Sequence, residues 1–300
     1  MTDYSPIVEP DHWANLLWSL GAPHIVRDCG LPLLPPERQA ELRDFFAAPA
    51  ERARLQPALE EFLAGQGTPR LGIYFEHLWA FAFQHHPHYQ LLARNLPLRE
   101  NGRTLGELDF LVHYLPDQCS EHWELAVKFY LQVDHTHWVG PGLRDRLDTK
   151  LARMRDHQLP IAETPLARAI LGRRSIEVSR QWAVVPGRLF RPVQAPPPLT
   201  AEINPALCDF WWITTDEFTR HFPNSDWRWA PLPKQAWLDD AGYRLTGGVD
   251  SAQLAAILQT GPGSRPWCVA ARFRGREVSR GFIVAGDWHE RAVRSLETRD

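Results

Sequence analysis

The chain has 300 residues, of which 44% are hydrophobic and 23% are charged, a composition typical of a globular protein with a buried core. Its net charge of -3 argues against binding polyanions through overall positive charge. The four cysteines lie far apart and form no CxxC pair, which excludes a zinc ribbon and a disulfide scaffold. No basic start precedes an apolar run and no window approaches ~18 apolar residues, so we expect a cytoplasmic protein without a membrane span.

Charge is unevenly distributed along the chain. Residues 1–66 hold five arginines against ten Asp or Glu, whereas residues 142–191 hold eleven Lys or Arg against five acids. A local basic region can attract an anionic ligand even in a slightly acidic protein. A solvated helix surface explains the same composition equally well.

The predicted elements begin with a helical lead-in over residues 1–66, where apolar residues follow the i, i+3, i+4, i+7 spacing of a helix. Residues 70–84 form a helix that is apolar on nearly all sides and is therefore expected to be buried. Glu76 lies in the middle of this helix. A buried glutamate is uncommon unless it is paired or bound to a ligand.

A meander of three strands follows, then a helix, then a fourth strand. Asn101-Gly102 is a tight-turn signal between the first two strands. The long connection before the fourth strand predicts that this strand pairs in parallel with a neighbour. The predicted strands are 89–98, 104–114, 123–133 and 181–185, and the helix is 140–158. Beyond the proline-rich stretch at 195–198, residues 201–300 are predicted to form a small α+β region.

Four charged residues occupy the second and third predicted strands. Because a strand has a period of two residues, Glu107 and Asp109 share one face, and Glu124 and Lys128 share one face. Like charges gathered among apolar residues are costly unless something compensates them. A divalent metal ion is one such compensator.

The element order, together with Glu76 in YFEHLW, Asp109 in GELDFLV and Lys128 in ELAVKFYL, resembles the PD-(D/E)XK nuclease superfamily over about residues 70–190. That superfamily uses a glutamate on its first helix, an acid on the second core strand and an acid-x-lysine pair on the third. The whole chain is also similar to a bacterial family of unknown function, the one numbered 1853, through its GELDF and AVKFY blocks and its GPxxxDxLxxKL helix.

The resemblance implies an α/β fold with a restriction-endonuclease-like core over residues 67–194, between the helical lead-in and the α+β region. It implies Mg²⁺- or Mn²⁺-dependent hydrolysis of phosphodiester bonds in DNA or RNA. The alternative is a catalytically inactive protein of this fold that binds nucleic acid or a protein partner. A resemblance of fold does not by itself establish function.

The implied catalytic set is Asp109, Glu124, Lys128 and Glu76. Asp109 is the main metal ligand, Glu124 the second, and Glu76 supports one of them, while Glu107 is a substitute ligand beside Asp109. The sequence departs from the superfamily at one point, because the acid expected two residues before Lys128 is replaced by Ala126. Either Glu124, Glu107 or Glu76 completes the site in its place, or the site has lost its activity.

Several further groups are weaker candidates. Basic residues of the second helix can contact phosphates without reading sequence, although a charged surface helix is an equal alternative. Gln132 and Gln158 extend the polar face. Histidine clusters in two predicted loops could bind a transition metal, and aromatic residues after position 200 form either a base-stacking platform or, as we favour, a core. The basic residues are Arg146, Lys150 and Arg153; the loop residues are His85, His86, His88, Asp134, His135 and His137; the aromatic residues are Trp211, Trp212, Trp227, Trp229 and Trp237.

Overall fold

A computed structural model describes residues 7–67, 70–100, 102–223, 226–240, 243–260 and 265–297. The turn predicted at Asn101-Gly102 falls partly outside these ranges, because Asn101 is not described. Gly102 has a φ of 78°, the left-handed conformation that glycine adopts without strain.

The described residues form helices and strands of mixed order. The helices are α1 (His12–Gly21), α2 (Pro36–Ala47), α3 (Pro49–Ala64), α4 (Leu71–His85), α5 (Leu147–Arg153), α6 (Pro165–Gly172), α7 (Thr215–His221), α8 (Ser251–Thr260) and α9 (Trp288–Glu297). The strands are β1 (Ile7–Pro10), β2 (Tyr89–Glu100), β3 (Arg103–Tyr114), β4 (Cys119–Leu125), β5 (Lys128–Gln132), β6 (Trp138–Val139), β7 (Val178–Val184), β8 (Gly187–Pro192), β9 (Phe210–Thr214), β10 (Arg228–Pro231), β11 (Tyr243–Thr246), β12 (Trp267–Phe273) and β13 (Arg276–Val284). Among the helices of the described ranges, none has both the length and the apolar composition needed to cross a membrane.

The chain divides into two compact units. The four-stranded unit comprises Leu16–Val127 and Thr149–Pro186, and the seven-stranded unit comprises the remaining three segments, Met1–Asn15, Lys128–Asp148 and Gly187–Asp300. These boundaries differ from the predicted segments 1–66, 67–194 and 201–300. The predicted boundaries follow breaks in composition, whereas each compact unit gathers segments that are distant in sequence.

The four-stranded unit contains a sheet in the order β2-β3-β4-β7. Its first three strands form an antiparallel meander after α4, and β7 pairs in parallel with β4 after the helical connection that includes α5. The predicted order of helix, three strands, helix and strand is therefore confirmed, as is the parallel pairing. This makes the fold α/β.

Helix α4 is buried because it carries large aromatic residues on several sides, as its sequence predicts. The Trp79 ring lies 5.5 Å from the Phe83 ring and 5.7 Å from the ring of Trp123 on β4. Phe83 contacts Trp123 edge to face at 5.1 Å. Aromatic pairs of this kind contribute about 1 kcal/mol each beyond the burial of their area. These contacts fix α4, and with it Glu76, against the sheet.

The seven-stranded unit contains a sheet in the order β10-β12-β13-β9-β8-β5-β6, and β1 pairs separately with β11. Its aromatic residues pack inward. Trp229 is only 1% exposed and lies 6.0 Å from the Trp211 ring, and the Phe218 ring lies 5.1 Å from Trp229. The interpretation of these tryptophans as core is therefore confirmed for Trp229, and Trp211 packs, partly buried, against the same core.

The prediction of one continuous third strand over residues 123–133 is wrong. Strand β4 ends at Leu125 and pairs with β3 and β7, whereas β5 begins at Lys128 and pairs with β6 and β8 in the other sheet. The alternation of side chains continues across Ala126, so the sequence pattern carries no sign of the break. Ala126 makes the last contact of the first sheet, donating its N–H to the carbonyl of Val184 at 2.9 Å.

Candidate functional site

The pairing of β3 with β4 brings two carboxyl groups together. Phe110 lies opposite Trp123, and extending this antiparallel register by one residue places Asp109 opposite Glu124. Opposite residues of an antiparallel pair project to the same face of the sheet. The charge of Glu124 acts on Asp109, and the Leu125 N–H donates to Asp109 Oδ2 at 3.1 Å.

Burial changes the protonation of both carboxyl groups. Burial, and then the negative charge of Glu124, raise the pKa of Asp109 to about 7. Burial also raises the pKa of Glu124 to about 7, while the positive charge of Lys150 opposes this shift. Glu124 is 0% exposed. Near neutral pH both carboxyl groups are therefore partly protonated, and a nearby cation would favour their charged forms.

A chain of polar side chains holds Glu124 in place. Gln158 Nε2 donates to Glu124 Oε2 at 2.7 Å, and Lys150 Nζ donates to Gln158 Oε1 at 2.7 Å. Lys150 lies on α5, and Gln158 ends the π-helical turn Met154–Gln158 that continues from it. Turns of this kind are rare and occur often at functional sites. Both residues were predicted only as weaker candidates, and the structure places them next to the acids.

The sequence interpretation missed His122. Its Nε2 lies 3.0 Å from Glu124 Oε1, its side chain is fully buried, and its Nδ1 has no hydrogen-bond partner among the described residues. Burial lowers the pKa of His122 to about 4, so the ring is neutral at pH 7. The period-two rule that aligned the acids also places His122 on the face of Glu124, so the signal was present in the sequence.

Glu76 and Glu107 flank the carboxyl pair. Glu76 Oε2 accepts hydrogen bonds from Arg94 at 3.3 Å and Asn95 at 3.2 Å, and its charge contributes to the raised pKa of Asp109. The charge of the exposed Glu107 contributes to the raised pKa of Glu124. The charges of Glu76 and Glu107 therefore act on the pKa values of the carboxyl pair, Glu76 on Asp109 and Glu107 on Glu124.

Lys128 belongs to the seven-stranded unit and not to the unit that contains the four acids. Its Nζ contacts Asp145 Oδ2 at 2.5 Å. The expectation that it shares one strand face with Glu124 is wrong, because β4 has already ended at Leu125.

The other two basic candidates, Arg146 and Arg153, lie in different units. Arg146, also in the seven-stranded unit, forms an ion pair with Asp148 at 2.6 Å, whereas Arg153 is exposed on α5 in the four-stranded unit. Gln132 is fully buried and donates to the carbonyls of Pro197 and Pro198, each at 3.2 Å. Gln132 thus has a structural role within the seven-stranded unit.

A family model described as "Domain of unknown function (DUF1853)" matches residues 15–284. No curated protein and no solved structure matches the chain. The match covers most of the sequence, as the resemblance of the GELDF and AVKFY blocks indicated. The chain therefore belongs to the DUF1853 family.

Proposed function

We propose that the four-stranded unit is a divalent-metal-dependent phosphodiesterase that acts on DNA or RNA, with Asp109 and Glu124 as its metal ligands. The observation that carries the proposal is the carboxyl pair on adjacent strands, in which burial raises the pKa of Asp109 and of Glu124 to about 7. The position of this pair after a glutamate-bearing helix agrees with the resemblance to PD-(D/E)XK nucleases and to their restriction-endonuclease-like core.

The residues fit Mg²⁺ or Mn²⁺. These ions prefer carboxylate oxygens and water as ligands, and Asp109 and Glu124 present carboxylate oxygens at one place. Glu76 and Glu107 add negative charge nearby, which strengthens attraction for a cation. When bound, the ion would polarise the scissile phosphate and lower the pKa of an attacking water.

Lys150 is the better candidate than Lys128 for the lysine of the site. If Glu124 takes the acid position of the acid-x-lysine pattern, the lysine position is Ala126, whose side chain carries no charge. Lys150 brings an ammonium group to the same acids from α5, as its effects on the pKa values of both carboxyl groups indicate. A compact ammonium can orient a water or stabilise charge on a phosphate.

Gln158 and His122 position the carboxylate of Glu124. Each contacts a different oxygen, Gln158 at Oε2 and His122 at Oε1. Two contacts on opposite oxygens limit rotation of the carboxylate. Such supporting hydrogen bonds typically change metal affinity or activity by about 10–100-fold when they are removed.

The test compares two lysine variants in a cleavage assay with Mg²⁺ or Mn²⁺, using plasmid DNA, single-stranded DNA and RNA. We expect Lys150→Ala to lose at least 100-fold in rate and Lys128→Ala to retain activity within a few-fold. The reverse order would return the lysine role to Lys128. Cleavage that persists unchanged in Asp109→Asn would refute the site.

The alternative function, nucleic-acid binding without hydrolysis, is separated by measuring binding beside cleavage. Fluorescence anisotropy of labelled oligonucleotides reports binding in the presence and absence of metal. Tight binding with no cleavage of any substrate would favour the inactive alternative. Binding that weakens in Arg153→Ala together with loss of cleavage would instead support a productive nucleic-acid surface on α5.

A further inference from the structure

A second set of possible ligands lies in the four-stranded unit, apart from the pair formed by Asp109 and Glu124. Glu41 on α2, His86 directly after α4 and His88 before β2 each offer one ligand atom, and these atoms lie within 4.8 Å of one another. We propose that Glu41, His86 and His88 bind a divalent transition-metal ion such as Zn²⁺.

The local backbone presents the two histidines together. His86 caps α4, with its N–H donating to the Ala82 carbonyl at 2.9 Å. The His88 N–H then donates to His86 Nδ1 at 3.1 Å, and this turn brings the two rings to a centroid distance of 5.3 Å. Pro87 between them restricts the turn further. The loop is therefore ordered around the two rings.

The carboxylate of Glu41 completes the group from a different helix. Glu41 Oε1 lies 2.5 Å from His88 Nδ1, and Tyr114 donates its hydroxyl to Glu41 Oε2 at 3.0 Å. The Tyr114 hydrogen bond orients the carboxylate, as supporting residues commonly do for metal ligands. A bound ion would replace the contact between Glu41 and His88 and displace the proton that it contains.

Arg38 lies nearby but is largely committed to other partners. Its guanidinium forms two hydrogen bonds with Glu121 at 3.0 and 3.1 Å and one with the Tyr89 hydroxyl at 2.9 Å. Its contact with Glu41 is longer, at 3.6 Å. Glu41 therefore retains negative charge that is available to a cation.

His86 is the buried member of the group, at 4% exposure. Burial lowers the pKa of His86 to about 4, although the charge and backbone of Glu41 act in the opposite direction. Histidine binds metals in its neutral form, so His86 does not first have to lose the proton of an imidazolium.

The donor set and its exposure indicate the class of ion. Two imidazoles and one carboxylate favour Zn²⁺ and similar ions, whereas Mg²⁺ prefers oxygen ligands. His86 is 4% exposed, but the side chains of His88 and Glu41 are 51% and 22% exposed, so an ion can enter from solvent. Three protein ligands leave one tetrahedral position for water. The ion would link α2, the end of α4 and the start of β2.

The test is a titration of the chelator-treated full chain with Co²⁺, followed by visible absorption, and with Zn²⁺, followed by calorimetry. We expect one tight equivalent at this site, with affinity at least 10-fold weaker in His88→Ala and in Glu41→Gln. His85→Ala, which removes a neighbouring histidine, is the matched control and should bind as the wild type does.

The Asp109→Asn variant separates this site from the carboxylate pair. We expect its Co²⁺ absorption to be unchanged, whereas a loss of the signal would assign the ion to the carboxylate pair and overturn the proposal. Unchanged binding in both His88→Ala and Glu41→Gln, or no binding of either ion at 1 mM, would also overturn it. Because His88 is exposed, His88→Ala is expected to fold, and circular dichroism checks this.

Discussion

Replacing Asp109 with asparagine should stabilise the metal-free protein at alkaline pH. The folded state keeps Asp109 partly buried beside Glu124, and this environment raises its pKa from an ordinary 3.8 to about 7. The folded chain therefore holds the proton more tightly than the unfolded chain. Stability from this group is fully present below pH 4 and is lost as the pH rises through about 7.

The size of the effect follows from the same values. Each pH unit between the unfolded and folded pKa corresponds to about 1.4 kcal/mol, so ionising Asp109 costs about 4 kcal/mol by pH 8. Asparagine has nearly the same shape, and its carbonyl oxygen can still accept the Leu125 N–H. We expect Asp109→Asn to raise the free energy of unfolding by up to about 4 kcal/mol at pH 8 and by almost nothing at pH 4.

Urea unfolding at pH 4, 6 and 8, without divalent metal, measures this difference. Glu60→Gln is the control, because Glu60 is exposed on α3 and its replacement should change stability by less than about 0.5 kcal/mol at each pH. Equal stability of Asp109→Asn and wild type at pH 8, or a loss of stability in the variant, would refute the raised pKa of Asp109.

Two further variants test the packing that supports the site. Glu121→Gln should lower the free energy of unfolding by about 3 kcal/mol in urea, because Glu121 is fully buried in a two-hydrogen-bond ion pair with Arg38; a loss below about 0.5 kcal/mol would contradict this. Gly187→Ala should cost about 3 kcal/mol or more, because the added Cβ would lie 1.7 Å from the Lys128 carbonyl oxygen. Gly142→Ala, which meets nothing within 4 Å, is its control, and equal stability of these two variants would exclude a steric cause.

Local sequence patterns were sufficient to predict much of the four-stranded unit. The apolar surface of α4 predicted its burial, and the period of two residues placed Asp109 and Glu124 on strand faces that can meet. The long connection before β7 predicted parallel pairing, since two parallel strands cannot be joined by a short turn. These features depend on residues close in sequence or on simple chain geometry.

The rest depended on contacts that sequence spacing does not encode. The alternation from Trp123 to Leu131 runs through Ala126, yet the chain leaves one sheet there and enters another. The prediction that Lys128 lies beside Glu124 depended on one continuous strand over residues 123–133. Lys150 is instead linked to Glu124 through Gln158. Gln158 lies 34 residues from Glu124 in sequence, and only folding brings the two side chains together.

The metal dependence of cleavage tests most directly whether Asp109 and Glu124 form a metal-dependent hydrolytic site. Chelator-treated wild type and Asp109→Asn, purified in parallel, are titrated with Mg²⁺ or Mn²⁺ while cleavage of labelled DNA and RNA is followed. We expect saturable, metal-dependent cleavage by the wild type and a rate at least 100-fold lower for Asp109→Asn at every metal concentration. A wild-type cleavage rate that is unchanged in excess chelator, or that Asp109→Asn matches, would exclude a metal-dependent site at these two residues.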